Sequence, residues 1–270
     1  MKIAFMTFST PQLTLGETLA AAARLGYDGI EPRVGAGHRH GLEYDAPTAL
    51  RAEAVRRAVD AGVAYACVAT SCQFANPATA AGHLEDGRRA IRLAADLSAP
   101  CIRVFGGPLA EGAARQDGIG SVAASLAALA EEARTAGVTV CMETHDDWCD
   151  PRHVAAVMRQ AGQAAIAVNW DVMHPVRTRL ASVDESFEIL RPWIRHLHVH
   201  DGAAEEPLHM VPLGTGMIDT RRAVERLAEV GYDGYLSGEW IDWEPWEVHL
   251  PRELAVLRQY VQEAEATPRA

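Results

Sequence analysis

Short β-rich runs and Ala-rich stretches of helical period alternate along the chain. Extended patterns fall at about 3–8, 28–32, 63–69, 101–105, 138–144, 165–171, 194–200 and 235–240. Helical patterns lie between them near 15–25, 48–61, 80–97, 119–136, 151–161, 183–191 and 220–230, with a last one near 247–264. Eight strands and eight helices in strict alternation predict an α/β chain of the (β/α)8, or TIM, barrel type, with residues 1–270 as one domain. An open doubly wound sheet would carry a Gly-rich phosphate turn after its first strand. Thr7-Phe8-Ser9-Thr10-Pro11 offers none.

The punctuation agrees with this division. Thr14-x-x-Glu17 and Ser182-x-x-Glu185 have the form of capping boxes, in which side chains satisfy the first free N–H groups of a helix. Gly26, Gly62, Gly137, Gly162 and Gly231 fall just past helices, where a left-handed residue turns the chain into the next strand. Gly26-Tyr-Asp-Gly29 and Gly231-Tyr-Asp-Gly234 are an internal echo, each leading into a strand. No domain linker interrupts the pattern, and only Ala266 to Ala270 read as a loose tail. The loops leaving the second, third and seventh strands are long, about 33–47, 71–79 and 201–218. Long loops after strands build the C-terminal face of a barrel, where its active sites lie.

Composition narrows the field. No apolar run approaches the ~20 residues of a membrane helix, and the first residues read as a strand, not a signal peptide. A cytoplasmic location without membrane association is expected. Cys67, Cys72, Cys101, Cys141 and Cys149 are odd in number and lack a C-x-x-C pair, so they read as reduced core residues. The net charge of −11 and the absence of a Lys/Arg cluster disfavour nucleic acid as a partner and point to a small molecule.

Alternate residues of a barrel strand face the interior and the helices. In the fifth run Val138, Val140 and Met142 form the outward set, which turns Glu143 and His145 inward at the C-terminal end. The sixth run turns Asp171 inward, behind outward Ile166, Val168 and Trp170. In the seventh, His196, His198 and His200 take the inner face, opposite Arg195, Leu197 and Val199. In the eighth, Leu236, Gly238 and Trp240 face out and Glu239 faces in. Four adjacent strands thus bring ionisable groups to one rim. Carboxylates gathered there would repel one another, and a divalent cation is the simplest remedy. Such an oxygen-rich set favours Mn²⁺ or Mg²⁺, with Co²⁺ or Zn²⁺ as alternatives. The competing view makes each residue a rim charge in its own salt bridge.

Five segments carry a family resemblance. They are Cys-Met-Glu143-Thr-His145, Asn-Trp-Asp171-Val-Met-His174, His196-Leu-His198-Val-His200-Asp201, Leu213-Gly-Thr-Gly216-Met-Ile-Asp219 and Gly231-Tyr-Asp-Gly-Tyr-Leu-Ser-Gly-Glu239. In order and spacing the chain resembles the sugar phosphate isomerase/epimerase superfamily of xylose-isomerase-like barrels, which also holds type IV apurinic (AP) endonucleases. Leu25-Gly-Tyr-Asp-Gly-Ile-Glu31 and Ile102-Arg-Val-Phe-Gly-Gly107 extend the resemblance over nearly the whole chain. It implies metal ligands at Glu143, Asp171, His198 and Glu239, and it selects His198 as the histidine three residues before Asp201. It implies that His174 touches substrate, and that homodimers or homotetramers are common.

The resemblance further implies an enediolate mechanism. Glu143 and Glu239 would be catalytic, one removing a carbon-bound proton and the other returning it on the opposite face. His145 and His174 would orient hydroxyls, with His200 on the same inner face. Glu31 and Arg103 lie on inward phases and could form an interior salt bridge or contact substrate; His209 could reach the site from its long loop. His38 and His40 read as solvated loop residues, Asp201 as a brace at its strand end, and Trp148, Trp240, Trp243 and Trp246 as rim aromatics that could wall a site or pack helices. Two departures disfavour an ordinary free-ketose 3-epimerase. Ala204 stands where that group has Arg, and Cys149 where it has Glu.

The expected function is therefore a metal-dependent isomerase or epimerase of a small sugar or hydroxycarbonyl compound. The alternative is a lyase or dehydratase acting on a keto-sugar or cyclitol, since an enediolate can also expel a β-hydroxyl. A non-catalytic metal- or sugar-binding barrel and an AP endonuclease are the remaining readings.

Overall fold

Each apolar run becomes a parallel strand, and each Ala-rich stretch becomes a helix laid back over it. The computed structural model describes residues 1–205 and 209–266. Its strands are β1 (Lys2–Met6), β2 (Gly29–Glu31), β3 (Ala64–Tyr65), β4 (Val68–Gln73), β5 (Cys101–Phe105), β6 (Thr139–Glu143), β7 (Ile166–Asp171), β8 (Ile194–Val199), β9 (Asp201–Gly202), β10 (Met210–Val211) and β11 (Tyr235–Gly238). The helices are α1 (Leu15–Leu25), α2 (Thr48–Ala61), α3 (Pro77–Leu97), α4 (Arg115–Ala136), α5 (Pro151–Ala161), α6 (Met173–Arg177), α7 (Val183–Leu190), α8 (Thr220–Glu229) and α9 (Trp246–Ala266).

The main sheet runs β3-β2-β1-β11-β8-β7-β6-β5-β4. Its two end members, β3 and β4, are parts of one extended run broken at Ala66 and Cys67. Ala64, Ala66 and Ala69 donate to the carbonyls of Asp28, Ile30 and Pro32 at 2.9–3.0 Å, so pairing continues across the break and the sheet closes. The result is the (β/α)8 barrel expected from the alternation.

Helix boundaries follow local chemistry. Both capping boxes form, Thr14 with Glu17 and Ser182 with Glu185. Gly137 and Gly162 end α4 and α5 at φ 69° and 58°, a backbone region that suits glycine. Helix α3 begins at Pro77, earlier than its apolar periodicity suggests, because Asn76 accepts from the Ala78 N–H at 3.0 Å and proline fits the first helical position. Helix α6 has no amphipathic period to announce it; the Asp171 carboxylate starts it by accepting from the backbone N–H groups of Met173 and His174. The tail beyond Ala266 and residues 206–208 of the loop after β8 lie outside the described residues.

Side-chain phase sorts the core into two parts. Val140, Met142, Val168, Trp170, Leu197, Val199 and Leu236 join the apolar layer between strands and helices. Trp170 packs on Phe187 of α7 with ring centroids 6.0 Å apart. Inside the barrel, Cys67, Cys101, Cys141 and Ala167 make a floor of small buried groups, and all five cysteines are free. Above that floor the interior turns polar, with Glu31, Arg103, Glu143, Asn169, Asp171, His196 and His198 buried together. Among the described residues, no helix is long and apolar enough to cross a membrane.

The loop after β8 is braced by Asp201. Its carboxylate accepts from the backbone N–H groups of Gly202, Gly214, Gly216 and Ile218 at 2.9–3.0 Å. Any side chain at position 216 would collide with that carboxylate and with the Gly202 carbonyl, which accounts for glycine there. The expected role of Asp201 as a brace is what its contacts describe.

Candidate metal centre at the barrel mouth

Strand ends place the four predicted ligands in one spot. Glu143 and Asp171 close β6 and β7, His198 pairs in register with Asp171, and Glu239 follows β11 with its N–H on the Val199 carbonyl at 3.2 Å. Glu143, Asp171 and His198 are fully buried, and Glu239 is 6% exposed. One ligand atom from each of these side chains lies within 4.8 Å of the others.

The orientation of His198 fits a ligand. Its Nδ1 lies 2.6 Å from Glu143 Oε1 and 3.2 Å from Glu239 Oε2, facing the carboxylate cluster. Its Nε2 donates to Glu31 Oε1 at 3.1 Å, while His196 Nε2 holds Glu31 Oε2 at 2.8 Å. A carboxylate that accepts from the Nε2–H fixes the tautomer and leaves the Nδ1 lone pair for a metal. Asn169 Oδ1 is buried without a hydrogen-bond partner, and Asn169 Nδ2 lies 3.1 Å from the imidazole Nδ1. Glu143 Oε2 has only the Arg103 ion pair, at 3.3 Å and outside hydrogen-bond geometry. Orphaned buried acceptors are costly, and the donor set of three carboxylates and one imidazole suits a hard divalent ion. The residues therefore fit the implied group.

Electrostatics describe the same cluster. Burial works against charge on His198, but Glu31, Glu143 and Glu239 outweigh it and raise its pKa well above the usual histidine value. Burial opposes ionisation of Glu31 and Glu239 too. The neighbouring histidines nevertheless hold Glu31 well below the carboxylate range and Glu239 down to about 2. Arg103 spans the cluster, with Nε 3.3 Å from Glu143, a second nitrogen 3.9 Å from Glu239 and Nη1 donating to the Thr70 carbonyl at 2.6 Å. Thus Glu31, with His198, and Arg103, with Glu143 and Glu239, both sit in interior ion pairs at the site.

A row of histidines lines one side. His200 Nε2 is 2.8 Å from Asp171 Oδ2, and His174 Nε2 is 3.7 Å from the same oxygen. The His174 ring stands edge-on to His145 at 4.3 Å and to His200 at 5.7 Å. Phe105 flanks His145, whose Nδ1 pairs with Asp146 at 2.7 Å. That contact raises the His145 pKa, although burial is the larger and opposing influence. His209 is exposed in the β9–β10 hairpin, where its carbonyl accepts from Ala203, and so stands outside the buried cluster.

Some loop expectations are corrected. His40 is not solvated: it is 3% exposed, its Nδ1 accepts from the Leu42 N–H, and its Nε2 meets the Arg33 carbonyl. His38 is half-buried against Thr7 and Phe8. Trp148 is fully buried and donates to the Gly107 carbonyl at 2.7 Å; Trp240 is buried over Gly238 and beside His249. Sequence reasoning passed over Asn169, although it shares the inward phase of Asp171. It read His196 as inward but gave it no task. It missed Arg33 altogether, which follows the second strand at the inward phase of Glu31.

A closed parallel barrel whose mouth gathers buried carboxylates and histidines is the architecture of one family of α/β barrels. The chain belongs to the xylose isomerase-like TIM barrel family, whose model matches residues 19–260. No curated protein matches it. Solved structures of similar fold include an L-ribulose 3-epimerase, 22% identical with a TM-score of 0.80 over 97% of this chain and 95% of that one. A xylose isomerase-like TIM barrel protein from Mycobacterium smegmatis in complex with magnesium is 18% identical, with a TM-score of 0.78 over 98% of each chain. The probable 3-DHS dehydratase AsbF of Bacillus anthracis is 19% identical, with a TM-score of 0.77 over 96% of this chain and 99% of that one. At these identities the likeness is one of fold.

Proposed function

We propose that this protein is a metal-dependent isomerase or epimerase of a small sugar or hydroxycarbonyl compound, acting through an enediolate. The observation that carries the reading is the convergence of Glu143, Asp171, His198 and Glu239 on one point at the C-terminal rim. A bound Mn²⁺ or Mg²⁺ would supply Lewis-acid stabilisation of the charge that develops on the substrate oxygens.

The chain's own residues divide the remaining work. Glu143 and Glu239 stand on strands separated by β7 and β8, so they can address a substrate from two sides. One removes the carbon-bound proton and the other returns it. Asp171, whose two oxygens are held by α6 and by His200, is an anchor. His145, His174 and His200 offer ring nitrogens to substrate hydroxyls; Nδ1 of His174 and of His200 is buried without a hydrogen-bond partner. Arg103 holds Glu143 and Glu239 in place by its two ion pairs and helps to keep Glu239 ionised.

The test is deuterium incorporation. Mn²⁺-loaded protein is incubated in D2O with ketoses, hydroxypyruvate, cyclitol ketones and keto sugar acids. Deuterium at a carbon next to the carbonyl, with no loss of water, is the expected result. A dehydrated product would shift the reading to a lyase, and binding without exchange would leave a binding barrel. Glu143→Gln or Glu239→Gln protein that keeps its metal and full turnover would overturn the proton-transfer roles.

A further inference from the structure

Arg33 lies past the end of β2, where its backbone bridges to Ala69 and its N–H donates to Thr7 Oγ1 at 2.9 Å. The residue is 8% exposed. Its guanidinium donates to the Val34 carbonyl and the Ser71 hydroxyl, and its centre stands 5.7 Å from the Phe8 ring. Both acceptors are neutral. Among the described residues no carboxylate forms an ion pair with it, whereas Arg103 has two, at 3.3 and 3.9 Å. Glu43, on the same loop, turns its carboxylate to the N–H groups of Gly35 and Gly37.

A buried guanidinium without a counter-ion is costly, and a planar fork with donors to spare suits an incoming anionic oxygen group. Burial first, and then the like charge of Arg103, lower its pKa to about 10, so it remains a cation at neutral pH. Glu239 and Glu43 are also among the charges it feels, and Glu31, two residues before it, contacts His198 at 3.1 Å, so Arg33 stands at the same mouth as the proposed ligands. The ligand cluster is carried by β6, β7, β8 and the end of β11, whereas Arg33 belongs to the β1–β2–β4 side of the mouth.

We propose that Arg33 receives an anionic oxygen group, a carboxylate or a phosphate, on the end of the substrate remote from its hydroxycarbonyl. This rests on the isomerase reading and adds a substrate class to it. A substrate of that kind lies across the mouth, its reacting carbons at Glu143 and Glu239 and its charge at Arg33. The fork would hold the anion by charge-assisted hydrogen bonds.

Three probes share one skeleton and differ at one end: D-fructose, D-fructuronate and D-fructose 6-phosphate. Calorimetric titration into Mn²⁺-loaded protein should show one of the two anions binding about tenfold or more tighter than D-fructose. The tighter of the two tells carboxylate from phosphate. Arg33→Gln should abolish that preference, bringing the favoured anion to the affinity of D-fructose measured on the same variant. Arg33→Lys, which keeps the charge without the fork, should retain part of it and serves if the Gln variant does not fold. Equal binding of all three probes, no binding of any, or an anion preference that survives Arg33→Gln would overturn the proposal. Anion preference without deuterium exchange would remove the isomerase reading and leave this site standing. Exchange without anion preference would do the reverse.

Discussion

Glu31 and His198 form the pair on which the chemistry of the site turns. The carboxylate takes one imidazole nitrogen at 3.1 Å, and the other nitrogen is left facing Glu143 and Glu239. Loss of the Glu31 charge should weaken divalent metal binding by about 10–100-fold, the usual scale for partners that orient a ligand. Mn²⁺ titration of Glu31→Gln against wild type measures this; unchanged affinity in a folded variant would argue that Glu31 merely fills space. The proton balance has a definite sign. His198 gains negative neighbours on folding, so its folded pKa lies above the unfolded value of ~6.5. In chelator-stripped protein its contribution to stability is full below that unfolded value and is lost as pH rises through the raised one. Metal binding near neutral pH must then displace the Nδ1 proton, so affinity should increase with pH. Calorimetry in buffers of different ionisation enthalpy should show about one proton released per ion; no release would contradict the assignment of Nδ1.

At the scale of elements, the strands were the most legible part of the chain. Period-two patterning turned Glu143, Asp171, Glu239 and the three histidines His196, His198 and His200 inward, because a barrel strand buries one face against helices and turns the other inward. The family resemblance selected His198 among the three. Irregular segments gave no such handle. His40 looked solvated because a loop has no period to mark an inward residue, yet its ring is buried and bonded at both nitrogens. Arg33 was hidden for the same reason, since it lies two residues past the end of β2. Helix α6 was missed because a carboxylate from the preceding strand, not a hydrophobic stripe, starts it. The loop after β8 depends on the close approach of Gly216 to Asp201. Gly216→Ala should cost about 1–3 kcal/mol, as overpacking does, read as a lower urea midpoint at unchanged slope. A midpoint equal to wild type would mean that the loop is free to move away from Asp201.

For the whole molecule, closure of the barrel explains why residues as distant in sequence as Glu31 and Glu239 share one buried cluster. The family and the fold could be read from the order of motifs; the hydrogen-bonded support of the ligands could not, because it depends on pairings across the interior. The four proposed ligands tie together the ends of β6, β7, β8 and β11, so a metal bound only by the folded chain should stabilise all of it. Free Mn²⁺ at about 100 times its dissociation constant should add about 2.7 kcal/mol, and chelation should remove it. A thermal midpoint indifferent to chelator would place no ion in the fold.

The central claim is that Glu143, Asp171, His198 and Glu239 together hold one divalent ion. Mn²⁺ titration of chelator-stripped wild type, Glu143→Gln and Asp171→Asn proteins tests it most directly. The account predicts one ion per wild-type chain and a loss of about 100-fold or more in affinity for each variant, since each removes a charged ligand from a buried site. Wild-type protein that binds no ion, or variants that bind it as tightly as wild type, would contradict the account.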